Sequence, residues 1–326
     1  MSTTNPKLPL NQGSAILPAL PSWLAYTQGN VWHVKPYSGL DANSGKSPRD
    51  AFKTVAKAHD AMTANQNDIC LFYAESNVSA TTTDYQSSVL TWSKDLCHLI
   101  GVNAGNRISP RSRIAAISSW TSANPTMVVS ADGCYISGIQ IWSGMDDVTT
   151  LGALKVTGQR NNFQRCHIAG MGVAAYNDIA DAYSLLLSGT SCAENEFHEC
   201  TIGANIQTLG AAVNSQIRTA ALCFDNHFYD CEVRLKAGHN TNAIYLRVPT
   251  TTMQGQLSFN NCRFTNNGAN TLTYGAVIHA SAGGKVYFKG TSIDATDVAS
   301  ADETNIFVDS TGVNNASSLF VVTETT

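Results

Sequence analysis

Asn195-Glu196-Phe197-His198-Glu199-Cys200-Thr201-Ile202 is one of four segments of this 326-residue chain built to a single pattern, Phe-x-x-Cys-x-apolar. The others are Phe163–Cys166–Ile168, Phe228–Cys231–Val233 and Phe259–Cys262–Phe264. From Cys166 the steps to Cys200, Cys231 and Cys262 are 34, 31 and 31 residues. Counting 29 residues on from Cys262 gives Phe288–Thr291–Ile293. Counting 32 back from Cys166 gives Cys134–Ile136, with Ala131 in the Phe place. Cys97–Leu99 and Cys70–Phe72 continue the pattern upstream less regularly. Asn161, Asn195 and Asn226 hold a further common place, two residues before each Phe.

A fixed period of this size marks a solenoid. Cys and the apolar residue two places on fit a strand whose alternate side chains share one face. Second apolar runs recur at 153–156, 184–187, 243–246, 276–279 and 305–308, without helical periodicity. Leucine is too scarce for a leucine-rich repeat, and amphipathic helices are missing, so helical solenoids are set aside. Each turn reads as two or three short strands joined by bends. Stacked turns lie ~4.8 Å apart, which places like residue over like. The expected fold is all-β: a right-handed parallel β-helix of about eight or nine coils, a rod ~40 Å long. Its core ladder would hold Cys134, Cys166, Cys200, Cys231 and Cys262 beside Phe163, Phe197, Phe228, Phe259 and Phe288.

Composition agrees with such a rod. Hydrophobic residues make up 43%, enough for a core, and charged residues only 13%, against roughly 25% in ordinary soluble domains. The net charge of −4 and the lack of a basic run give no footprint for nucleic acid. No apolar stretch approaches the ~18 residues of a membrane span. The apolar piece 15–20 is broken by Pro18 and preceded only by Lys7, which does not read as a signal peptide. Nine cysteines without CxxC or Cys/His spacing read as buried thiols made in a reducing cytoplasm, with no metal or other cofactor.

The one good helix signal lies where a solenoid needs a cap. Ser47 suits the N-cap, Pro48 the first helical position, and Phe52, Val55, His59 and Met62 recur at helical spacing. The spacing predicts a capping helix over 48–63. The domain reading is therefore an arm over 1–30, a strand, loop and capping helix over 31–65, and a β-helix over 66–326. In the arm, Pro6, Pro9, Pro18 and Pro21 exclude helix and central strand. Ile16, Leu17, Leu20, Trp23, Leu24 and Tyr26 make it too apolar to stay in water. It is expected to lie on the β-helix or on a partner. The closing run Ser318–Val322 is strand-like and has no second capping helix. Oligomerisation or a host surface would cover that end.

Gly39-Leu40-Asp41-Ala42-Asn43-Ser44-Gly45-Lys46-Ser47-Pro48-Arg49-Asp50-Ala51-Phe52-Lys53-Thr54 resembles the opening of pectin-lyase-like β-helix proteins, G-x-D-x-N-x-G-x-S-P-x-x-A-F-x-T. The Phe-x-x-Cys-x-Ile units resemble the short repeat of that superfamily, with Cys where Asn is frequent. The resemblance spans about residues 31–322. It implies the fold, and it admits pectate lyases, glycosidases, phage tailspikes and non-catalytic phage virion proteins, between which fold alone does not choose.

Glycosidases need two carboxylates roughly 5–9 Å apart. Glu199 and Asp230 both precede a repeat Cys and form the best pair available, one coil beyond Arg165. The bland alternative is a solvated ladder with an Arg165–Glu199 ion pair. His167, Thr201, Glu232 and Arg263 form the next column. Asp146-Asp147, Asp178 and Asp181 read as acidic turn residues. Arg218, Arg234 and Arg247 are available for a lyase-type proton abstraction, but no local motif joins them to carboxylates. Asp41-x-Asn43-x-Gly45 begins like a calcium loop, but its twelfth position is Phe52, so it reads as a turn. His98 and His167 each follow a repeat Cys and should point outward, without metal partners. Of Trp23, Trp32, Trp92, Trp120 and Trp142, more should pack under loops than line a sugar groove.

The reading is a non-catalytic bacteriophage virion protein, a capsid decoration, cement or head-fibre protein assembled in the host cytoplasm. It would be anchored by its arm to the major capsid or another virion protein, as a homotrimer. A polysaccharide-degrading tailspike or lyase is the alternative. A carbohydrate-binding adhesin facing a host surface glycan is the third.

Overall fold

The computed structural model describes residues 29–76, 78, 83–117, 120, 124–144, 151–249, 253–279, 281–300 and 306–309. The arm residues 16–26, Asp146-Asp147 and the run 318–322 lie outside the described residues. Among the described residues the chain is an all-β parallel solenoid. A ten-stranded sheet and two eight-stranded sheets enclose one core, and every strand pairs in parallel with its equivalent one coil away. In one coil, Asn226–Tyr229 lies in the first sheet, Glu232–Leu235 in the second and Ala243–Val248 in the third.

The repeat pattern is a corner. Phe163, Phe197 and Phe228 lie on the first sheet, and Ile168, Ile202 and Val233 on the second. Cys166, Cys200 and Cys231 stand outside both strands, at the bend between them. This corrects the single Cys-x-Ile strand expected from the spacing. The bend is made by the residue before each Cys: Arg165 (φ 52), Glu199 (φ 50), Asp230 (φ 53) and Asn261 (φ 52) are all left-handed. Gly290 does the same at φ 58. A left-handed residue turns the chain within one position, at a steric cost that glycine and asparagine bear best.

Register then piles like on like. Phe163, Phe197, Phe228, Phe259 and Phe288 stack with centroid separations of 4.7, 4.6, 4.7 and 5.2 Å and interplanar angles of 15° or less. All five are essentially inaccessible. Full burial of each stabilises the fold by roughly 1.5–3 kcal/mol before ordering costs. The corner thiols also have a polar task. Cys166 Sγ approaches the carbonyl of Ile136 at 3.4 Å, Cys200 that of Phe163 at 3.4 Å, and Cys231 that of Phe197 at 3.2 Å. Thr291 Oγ1 donates to the carbonyl of Phe259 at 2.8 Å in the same role. All nine cysteines are buried thiols. Burial and the neighbouring thiols hold the Cys200 thiol well above the ordinary range, so it stays protonated and inert.

Cys134 does not belong to this column. Leu99 pairs with Ile136 and Ile136 with Phe163, so Ile136 takes the Phe place. The backbone bond from His167 to the Ile139 carbonyl, matched by Thr201 to Cys166, puts Ile139 level with Cys166. Cys134 is level with Asn161 instead, and its N–H donates to Asn161 Oδ1 at 2.8 Å. That place continues as an asparagine ladder: Asn161 N–H donates to Asn195 Oδ1 at 3.0 Å, and Asn195 Nδ2 to Asn226 Oδ1 at 2.9 Å. The one-letter match of cysteine with cysteine gave the wrong register, because apolar volume at the Phe place decides it.

The helix α1 spans Val55–Ala61, shorter than the predicted 48–63, and its N-cap is Thr54. Thr54 Oγ1 accepts from Lys57 N–H at 3.1 Å. Ser47 closes only a local turn, accepting from Asp50 N–H. Helix is prevented there because Phe52 bridges to the strand Val31–Val34, with Phe52 N–H on the His33 carbonyl and Lys35 N–H on the Phe52 carbonyl. Val55, Ala58 and Met62 join the same buried cluster as Trp92 and Cys70. The Gly39–Thr54 stretch is a lock of hydrogen bonds. Asp41 accepts from Lys53 and Thr54 N–H at 2.9 Å each, and Asn43 Nδ2 donates to the Ala51 carbonyl at 2.8 Å. Gly45, left-handed at φ 70, lies so close to the Phe52 ring that a Cβ would meet it at 2.2 Å.

Candidate functional site

Glu199 and Asp230 stack in one outward column as corner residues, and both are engaged. Glu199 Oε2 lies 3.5 Å from Arg165 Nε, with both side chains half-exposed. Asp230 accepts from Asn261 Nδ2 one coil on. The arrangement is a ladder of cross-coil ties.

The second sheet carries the column Gln140, His167, Thr201, Glu232 and Arg263, in register. His167 is not on the surface, although it does face away from the core. The segment after the strand His98–Val102 crosses this face as a strap. Ser109 N–H donates to His167 Nδ1 at 3.1 Å, Arg107 Nη1 donates to the Asp230 carbonyl at 3.3 Å, and Arg107 Nη2 lies 4.0 Å from Glu232. Glu232 is buried among three guanidiniums, with Arg234 at 3.6 Å and Arg263 at 3.5 Å. Burial lowers the His167 pKa to about 4, so the ring is neutral. His98 is likewise covered, accepting from Tyr135 N–H at 3.0 Å, and burial lowers it to about 4.

The third sheet brings together residues that the sequence left apart. Arg218 and Arg247 are register partners, and Asp181, left-handed at φ 64, reaches both. Arg218 Nη1 lies 3.1 Å from Asp181 Oδ1 and also donates to the Asp181 carbonyl at 3.0 Å, while Arg247 Nη1 bonds the same carboxylate oxygen. A carboxylate shared by two arginines is a charge-assisted clamp. It holds no uncommitted base. Asp178 ends a short 3-10 turn, Ala174–Asp178. Trp92 and Trp120 are buried, Trp32 stacks on Phe52 at 5.8 Å, and Trp142 lines a shallow recess with Tyr85 and Arg113.

The face that sequence reasoning missed is on the first sheet. The residues flanking each stacked Phe point outward: Glu196 and His198, His227 and Tyr229, Ser258 and Asn260, Tyr287 and Lys289. The last three of these pairs border an open groove of about 350 Å³ lined by His227, Tyr229, Gln256, Ser258, Asn260, Tyr287 and Lys289. His227 Nδ1 and Ser258 Oγ are 2.7 Å apart, and Asn260 Nδ2 donates to Ser258 Oγ at 3.1 Å. The His198 ring stacks on Tyr229 at 4.8 Å. The usable signal was strand alternation: once Phe faces inward, its two neighbours must face out.

No protein-family model matches the chain, and no curated protein matches it. Solved structures do resemble it. The pectin methylesterase of Aspergillus niger is 14% identical over 94% of each chain, with a TM-score of 0.50. The pectin methylesterase PemA of Erwinia chrysanthemi is 14% identical over 86% of this chain and 92% of its own, also at 0.50. Pectate lyase Pel9A is 12% identical over 87% of this chain and 79% of its own, at 0.40. The chain thus shares the parallel β-helix fold of the two methylesterases, and at these identities the likeness extends to the fold alone.

Proposed function

We propose that the chain is a non-catalytic structural protein of a bacteriophage virion, a capsid decoration, cement or head-fibre protein. The β-helix would act as a stiff rod, with α1 covering its first coil and residues 1–30 anchoring it. The observation that carries a structural role is the use made of the outward carboxylates. Glu199, Asp230, Glu232 and Asp181 are each spent on ties to Arg165, Asn261, three arginines and two arginines. Such ties join coils side by side and strap one face, as a rod that bears load requires. The apolar, proline-rich run with Ile16, Leu17, Leu20, Trp23, Leu24 and Tyr26 supports the anchor. Its burial against a major capsid or other virion protein would supply ~25 cal/mol per Å² of apolar area before ordering costs. A homotrimer would cover the end of the solenoid opposite α1.

Deleting residues 1–30 should leave a folded rod that no longer binds purified virus particles. Full retention of particle binding would defeat the anchor. The polysaccharide-degrading alternative is tested on the same preparation. Incubation with host polysaccharide should release no reducing or unsaturated ends, and turnover abolished in Glu199→Gln or Asp230→Asn would replace the structural reading with an enzymatic one.

A further inference from the structure

The outward side of the first sheet changes character along the rod. Trp32, Cys70 and Leu99 face the core, so their neighbours on each strand face out. One outward column runs Val31, Ile69, His98, Tyr135, Asn162, Glu196, and the column beside it runs His33, Leu71, Ile100, Ser137, Gln164, His198. Over the first four strands this face is apolar. Ile69, Leu71, Ile100, Val102 and Tyr135 form a cluster of their own, with Val31 and Tyr73 at its margin. Asn162, Gln164, Glu196 and His198, next in line, are polar and partly exposed.

An outward apolar strip marks an interaction surface. This one is covered, since none of its five members is more than 9% exposed. Side chains standing upright on a sheet cannot shield their own tips. Yet among the described residues no apolar side chain from another element packs on the cluster. We propose that the strip is the seat of the arm of the same chain, with Ile16, Leu17, Leu20, Trp23, Leu24 and Tyr26 as the covering side chains.

Position, reach and chemistry select the arm. Asn30 leads straight into the first strand of the strip: its N–H donates to Asp68 Oδ1 at 2.6 Å, and its carbonyl accepts from Ile69 N–H at 2.8 Å. The arm therefore starts at the border of the strip, and that tether favours the same chain over a second copy. The strip is three strand spacings wide, ~14 Å, and residues 16–26 span up to ~36 Å when extended. Ser318 lies nine residues past Asp309, which ends the last strand of the same sheet. At ~30 Å of full extension it meets only the near border at Tyr135, six spacings or ~29 Å away. Lys7 is the only charged side chain in residues 1–28, which suits five side chains that carry no charge. Pro18 and Pro21 keep the arm from forming a helix or a central strand, so it can lie flat across the strip. The inference goes beyond the virion reading and stands apart from it, because an arm seated on the rod keeps an outer side for a partner.

The test places the photo-reactive residue p-benzoylphenylalanine in the full chain at Tyr73 or Tyr135, on the strip, and at Tyr229, on the polar part of the same face. Each variant is irradiated as an equal mixture of unlabelled and isotope-labelled protein, and the cross-linked peptides are identified by mass spectrometry. Cross-links from Tyr73 and Tyr135 should fall within residues 16–26, show no hybrid of the two labels, and exceed those from Tyr229 about tenfold. Leu20→Asp combined with Trp23→Asp should cut them about tenfold, with unchanged circular dichroism. The Tyr73 variant carries the test alone if the Tyr135 variant does not fold. Hybrid masses would give the strip to a second copy, and cross-links to residues 318–322 would give it to the C-terminal run. Either result overturns the proposal, as does the absence of arm cross-links. Cross-links that survive Leu20→Asp with Trp23→Asp also overturn it, since tethering alone would then explain them. No virus particle enters this measurement, so it can fail without the particle-binding result for residues 1–30, and the reverse.

Discussion

The coils before residue 140 and those after residue 160 enclose the same core by different means. In the later coils the Phe place is filled by Phe163, Phe197, Phe228, Phe259 and Phe288, and the corner by Cys166, Cys200, Cys231 and Cys262. In the earlier coils Cys70, Leu99 and Ile136 take the Phe place in turn, and Ile139 takes the corner. The earlier coils also use buried histidines, a helix and the hydrogen-bonded lock of residues 39–54. Parallel pairing and inward apolar volume are therefore what the coil demands. Residue identity is repeated only where stacked rings and a corner donor are both used.

The largest test of that contrast is Phe197→Ala. Phe197 is stacked on both sides, so truncation leaves a cavity in the column and should cost about 3–5 kcal/mol. Ile136→Val, at the same place in an earlier coil, should cost about 0.5–1.5 kcal/mol. Urea unfolding of both variants checks the difference. Equal losses would erase the distinction between the two halves.

Acid should separate the halves next. Burial first of all lowers His33, His59, His98 and His167 to about 4 in the fold, against ~6.5 in the unfolded chain. Between those values the unfolded chain binds more protons, so stability falls as pH drops from about 6.5 to about 4. For His167, nearly inaccessible to solvent, the slope approaches ~1.4 kcal/mol per pH unit. Asp84 acts with the opposite sign. Burial raises it to about 6, so it takes up a proton in the fold first and offsets one histidine over part of the window. Three of the four histidines lie before residue 100. Hydrogen exchange at pH 7 and pH 5, each normalised to the intrinsic amide rate at that pH, should thus show protection lost first in residues 31–102 and at the strap over His167. A uniform loss of protection along the rod would contradict this.

These two predictions mark what the sequence made legible. The period near thirty and the inward Phe columns were readable because large apolar residues recur at one spacing. The corner was misread as a strand because the left-handed residues before each Cys are Arg165, Glu199, Asp230 and Asn261, and only the last two of these have a strong turn preference. Cys134 was misplaced because a shared residue type was weighted above volume. Helix spacing over 48–63 was real but lost to the Phe52 bridge, a tertiary pairing invisible to local periodicity. The Arg218–Asp181–Arg247 clamp needed register across three coils. The groove on the first sheet was latent in the residues beside each Phe, and reading only the inward column concealed it.

Smaller effects refine the corner. Cys231→Thr should be tolerated better than Cys231→Ala, by about 0.5–1.5 kcal/mol, because a hydroxyl can reach the Phe197 carbonyl as Thr291 reaches that of Phe259. Thermal melts of the two variants decide it, and a more stable Ala variant would deny the corner donor any role. Glu199→Gln should change stability by less than about 0.5 kcal/mol, since its pair with Arg165 is half-exposed.

The vertical register of the coils underlies every assignment above, and a sulfur anomalous difference map from crystals of the full chain tests it directly. The sulfurs of Cys166, Cys200, Cys231 and Cys262 should form one straight row beside the Phe stack, with the Cys134 sulfur out of line, level with Asn161. A row that includes Cys134, or sulfurs scattered through the core, would contradict the account.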